Sequence, residues 1–217
     1  MGRVFAGSVL LSFLTFAPLS VQAASLVLDF TAVISGTTGP ASPPPWVEAL
    51  FADVSPGTVR LTVTNLSLTG NESVGFLYFN LKPDLDPTSL SFTFVSKSGA
   101  FLLPAILKGA DAYKADGDGF FDIKFGFSEG NQSDRFTAGQ SLQYDISGIG
   151  GLMASDFAYI SASGGGSGTY YGAAHIQQTG VSGQDSAWIA ASQVPEPTAF
   201  ELFGLGISVF LVRRRQR

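Results

Sequence analysis

The sequence predicts an all-β fold, an antiparallel β-sandwich of jelly-roll-like character, with one apolar helix at each end of the chain. Three observations carry this reading. Short segments alternate apolar and polar residues with a period of two, as strands with one buried face must. Turn residues (Gly, Pro, Asn, Asp) recur at intervals of roughly 8–15 residues, the spacing of a sandwich. The 217 residues include 19 Phe, only two Met and no Cys, so large stiff rings rather than disulfides must fill the space between sheets.

The elements follow in order. Arg3 precedes an apolar run from Val4 to Phe16, Pro18 ends it, and Val21-Gln22-Ala23 places small residues at a cut after Ala23. That is the pattern of a secretory signal helix over residues 1–23, and it implies the Sec export machinery and a signal peptidase. A run of this length rises about 20 Å as a helix, short of the roughly 30 Å of a bilayer core.

Residues 24–193 read as one sandwich domain, long enough to bury a core without staples. Strands are expected over Leu26–Ile34, Thr58–Leu66, Val74–Leu81, Leu90–Val95, Phe120–Phe127, Ser141–Ile146, Phe157–Ala162, Tyr170–Gln178 and Ser186–Ala190. Trp46 to Ala52 fits neither period well. Val59, Leu61 and Val63 share one strand face, as do Phe121, Ile123, Phe125 and Phe127. Leu61, Val63, Phe92, Phe94, Phe121, Ile123 and Phe125 are the expected core.

The last segment, residues 194–217, has three parts. Pro195-Glu196-Pro197 is rigid and non-helical, Thr198 to Val212 is mostly apolar, and Arg213, Arg214, Arg215 and Arg217 close the chain. Basic residues after an apolar helix stay on the cytoplasmic side, which leaves the domain outside. Together with the N-terminal signal, this arrangement resembles the PEP-CTERM sorting signal of exported bacterial proteins. The resemblance implies a C-terminal transmembrane sorting helix, transient insertion in the inner membrane, and recognition of Pro195-Glu196-Pro197 by an exosortase. It also implies delivery to the cell surface or the extracellular matrix, often beside extracellular polysaccharide. Glu201, Phe200 and Phe203 depart from the small or aliphatic residues usual in such tails. Pro56–Thr62, Tyr78–Leu81, Ala115–Ile123 and Ala173–Gln177 resemble segments of PEP-CTERM ectodomains, a resemblance that implies no activity.

Charge narrows the function classes. Five of the 12 basic residues lie at the two ends, so residues 24–193 keep seven against 15 of the 17 acidic ones. That balance argues against nucleic-acid binding. One histidine, His175, excludes poly-His metal sites, and no Gly-x-Ser-x-Gly elbow accompanies it. In its Ala-Ala-His-Ile setting His175 reads as a structural hydrogen-bonder, and no catalytic residue is expected. Gly164-Gly165-Gly166-Ser167-Gly168 lacks the Lys-Ser/Thr ending of a phosphate loop.

Asp116, Asp118 and Asp122, with Asp111 upstream, offer oxygens that could converge on Ca²⁺. The loop is not an EF-hand, because Lys114 and Phe125 fall where its end ligands belong, and Asp-Gly pairs equally make a plain turn. Trp46, Tyr170, Tyr171 and Trp188 could stack on sugars or pack inside. The sequence therefore leads to an exported, structural or adhesive surface protein. Its alternatives are a Ca²⁺-assisted carbohydrate-binding module and, less well supported, a secreted hydrolase that needs two convergent carboxylates or His175 beside a Ser.

Overall fold

The computed structural model describes residues 24–191, apart from 117 and 167. The signal segment with Ala23, the Pro195-Glu196-Pro197 motif and the arginines Arg213, Arg214, Arg215 and Arg217 lie outside the described residues. Within them no helix is long and apolar enough to cross a membrane.

The strands form two antiparallel sheets that face each other as a sandwich. The smaller sheet has five strands in the order β1 (Ser25–Phe30), β3 (Val47–Ser55), β4 (Thr58–Asn65), β10 (Ser141–Ser147) and β6 (Ser91–Ser98). The larger runs β2 (Ala32–Gly36), β12 (Asp185–Ala191), β11 (Gly172–Thr179), β5 (Ser73–Phe79), β8 (Phe120–Gly126) and β7 (Ala105–Lys114), and the short β9 (Phe136–Thr137) pairs with β5. Only β3–β4, β7–β8 and β11–β12 are hairpins within one sheet; other connections between the described strands cross from sheet to sheet, apart from β9.

Alternation positions the core. On β4, Val59, Leu61 and Val63 point inward and are fully buried, and Leu142, Tyr144 and Ile146 do the same on the neighbouring β10. From the larger sheet come Leu77 and Phe79, Ile123 and Phe125, Ala174 and Ile176. Phe79 sits at the centre, with edge-on contacts to Phe30, Phe51 and Phe125 at centroid distances of 6.5, 5.2 and 5.9 Å. Phe51 stacks on Phe157 at 4.4 Å. Edge-on and offset pairs of this kind add to the burial of the rings.

Five expectations change. Phe121, expected in the core between the sheets, packs instead in a separate cluster with Tyr78, Ala115 and Ala173. The strand expected over Leu26–Ile34 is two strands. At Thr31 the chain leaves the smaller sheet for the larger, and the Thr31 N–H donates to the Ala190 carbonyl at 3.1 Å. Such a corner is how a strand serves both layers. The ambiguous Trp46–Ala52 belongs largely to β3, whose Ala49 and Phe51 pair with Val63 and Leu61. Phe157–Ala162 forms no strand, only a short 3-10 turn at Ala154–Phe157 and one bridge from Ala162 to Phe120. Phe94 is 42% exposed, because β6 is the outer edge of its sheet, and Phe92 is only partly covered.

Candidate functional site

An antiparallel sheet that meets water on its outer face ordinarily carries polar side chains there. At β5 the larger sheet does not. Val74–Phe79 on β5 is apolar except for Gly75, so Leu77 and Phe79 serve the core while Phe76 and Tyr78 stand on the other face. Antiparallel register then sets their neighbours. Phe76 lies opposite His175 of β11, which lies opposite Trp188 of β12, itself paired with Ser35 of β2. One step along, Lys124 of β8, Tyr78, Ala173 and Ala190 form a second row.

The rings in these rows touch. Phe76 and His175 stack at 5.9 Å, His175 and Trp188 meet at 4.9 Å, and Tyr78 and Trp188 at 5.5 Å. Ala173 is the small residue that lets Tyr78 and Trp188 approach across β11. The Lys124 ammonium lies 4.0 Å from the centroid of Phe76 and 5.7 Å from that of Tyr78, within range of a cation–π attraction.

A flap covers part of this face. The β7–β8 hairpin belongs to one edge of the sheet, yet its tip residue Asp116 accepts a hydrogen bond from the hydroxyl of Ser35 on β2, at the opposite edge. Ala115 and Phe121 thereby pack on Tyr78 and Ala173 in a second buried cluster flanked by Tyr113 and Tyr170. Tyr78 is sealed beneath it, and burial pushes its hydroxyl pKa up to about 12. Phe76, His175, Trp188 and Lys124 stay half-exposed beside the flap.

His175 Nδ1 is buried and finds no partner among the described residues. Burial lowers the imidazole pKa, while Glu129 and Asp116 pull it back up. The expected structural hydrogen bond is thus absent at that nitrogen, and His175 contributes a ring to a stack instead. Gln177, next outward on β11, donates to Glu129.

The acidic loop residues have other duties. Asp122 accepts the Leu81 N–H on one oxygen and the Asp111 N–H on the other, both at 2.8 Å. Burial raises its pKa, and those two donors oppose the rise. Asp116 is exposed and holds the flap, and Asp118 is buried. Among the described residues no group of three His, Asp or Glu side chains is placed to hold a metal ion.

Of the expected surface aromatics, Trp46 is buried, with its indole N–H on the Ser42 carbonyl at 2.7 Å. Tyr171 packs against the main core, Tyr170 borders the flap, and Trp188 joins the ring row. Phe76, Tyr78 and Lys124 were not among the expected site residues. Their one sequence signal is the unbroken apolar character of β5, which shows that both its faces meet something apolar.

No family model matches the chain, and no curated protein matches it. Among solved structures, it is similar to biomass-sensing modules of Rsgi-like proteins of Clostridium thermocellum, described as resembling the family 3 carbohydrate-binding module of the cellulosome. Identity is 15% and the TM-score 0.30, over 81% of this chain and 99% of that one.

Proposed function

We propose that this chain is an exported protein, carried to the cell surface by its PEP-CTERM-like tail, whose sandwich binds extracellular polysaccharide on the outer face of the larger sheet. The observation that carries the binding is the half-exposed row Phe76–His175–Trp188, capped by Lys124, where a water-facing sheet should be polar. Ring surface beside amide and carboxylate groups such as Gln177 and Glu129 suits sugars, which present apolar C–H faces and hydroxyls together. The acidic excess of residues 24–193 disfavours polyanionic chains and favours neutral ones. The role is structural or adhesive and assigns no reaction to the protein, and neither Ca²⁺ nor another cofactor is needed for it.

Affinity electrophoresis of the full chain through gels containing neutral or acidic polysaccharides tests the reading. Retardation by a neutral polysaccharide, lost in Trp188→Ala while the melting temperature holds, is the expected result. Equal mobility of both proteins in every gel removes the ring row from the function.

A further inference from the structure

The larger sheet ends in a cleft of about 340 Å³, formed by the β4–β5 turn, the β11–β12 turn and Ala41 of the β2–β3 connection. Its polar lining comes from Thr69, Asn71, Glu72, Gln178 and Ser182, beside the apolar Ala41 and Val181. Neither a ring nor a cation belongs to the described lining. Glu72 lies within it, buried and already engaged, accepting from the Ala41 N–H at 2.8 Å and the Thr69 N–H at 2.9 Å. An anion entering here would meet that carboxylate and no compensating positive charge.

Gln178 is the unusual residue of this cleft. The β11–β12 register slips there, so that Gln177 faces Ser186 and Thr179 faces Asp185, leaving Gln178 as the extra residue of a bulge. Its φ is +58°, the left-handed region that such bulges normally give to glycine. The neighbouring turn uses glycine for this purpose at Gly180 and Gly183. At Gln178 the chain instead keeps a long side chain, and its Oε1 is buried with no donor among the described residues. A strained backbone is thus kept for a long polar side chain at the wall of the cleft, with its Oε1 turned away from solvent.

We propose that this cleft binds one neutral, hydroxyl-rich sugar unit, the Gln178 side chain turning outward so that a sugar hydroxyl donates to its carboxamide oxygen. The volume lies at the small end of ligand pockets, which suits a single unit or a chain end. β5 and β11 both lead to it from the ring row. Phe76 is four residues from Glu72 and His175 three from Gln178, or about 10–13 Å at strand rise. A glycan lying on the rings would thus place its terminal unit in the cleft. This last step rests on the polysaccharide reading, whereas the chemistry of the cleft does not.

Calorimetric titration of the full chain with the methyl glycosides of glucose, galactose, mannose and N-acetylglucosamine tests it, alongside Gln178→Gly and Trp188→Ala. At least one glycoside binds the wild type, and Gln178→Gly weakens it about tenfold or more. The same variant melts at an equal or higher temperature, because glycine relieves the backbone. Trp188→Ala leaves glycoside binding in place. The proposal is overturned if no glycoside binds the wild type, if Gln178→Gly binds as well as the wild type, or if it melts markedly lower, which would make the side chain structural. Glycoside binding that depends on Gln178, without any polysaccharide retention that depends on Trp188, sustains the cleft and removes the ring row.

Discussion

His175 is the chain's one imidazole and shows how burial sets a charge state. Its ring is held between Phe76 and Trp188, and desolvation keeps its pKa below the ordinary 6.5. The unfolded chain therefore takes up this proton first as pH falls. Stability is intact above pH 6.5 and declines as pH drops toward the lower folded-state pKa. His175→Phe keeps the stack and removes the titration. Melting temperatures from pH 7 to about 5 should fall in the wild type and fall less in the variant. Parallel curves would show that the imidazole carries no such linkage. Asp122 and Glu48, whose pKa values burial raises, act with the opposite sign at lower pH and are common to both proteins.

The β7–β8 hairpin makes the corresponding case at the scale of an element. Its tip is fastened to the far edge of the sheet by Asp116 and Ser35. Ser35→Ala should cost about 0.5–1.5 kcal/mol, the worth of one hydrogen bond. The amides around Ala115 and Phe120 should exchange faster in the variant while those of β5 and β11 do not, as read by hydrogen–deuterium exchange. Unchanged exchange at the tip would mean that packing by Phe121 alone holds the flap.

This element also shows where local pattern stops being informative. β4 was legible because one face is core and the other is not, and β8 likewise over Ile123 and Phe125, whereas Phe121 leaves that core for the second cluster. β7 was not among the expected strands, since its pairing slips between Lys108 and Tyr113 and both faces of the strand are largely open. Phe94 alternates like a core residue, but only the strand order places β6 at an edge. The ring row was hidden for the same reason: Phe76, His175 and Trp188 become neighbours through register across strands distant in the chain.

For the whole molecule, the two sheets are joined at Thr31 and share one core, while the segments proposed as sorting signals lie before and after it in the sequence. Intact-mass measurement of the protein recovered from the cell surface should show loss of residues 1–23 and of a tail ending the chain near Pro197. Full retention of Arg213–Arg217 would instead indicate a permanent anchor.

β12 adds a mechanical consequence. The turn that precedes it lines the cleft from Gln178 to Gly183, and at its other end Ala191 leads toward residues 194–217. A tether pulling on the tail against a glycan held in the cleft would stretch the molecule along this strand. β12 is paired on both flanks, to β2 and to β11, through ladders whose hydrogen bonds lie across that pull. The load is then borne in shear, so that many bonds must give way together instead of unzipping one by one.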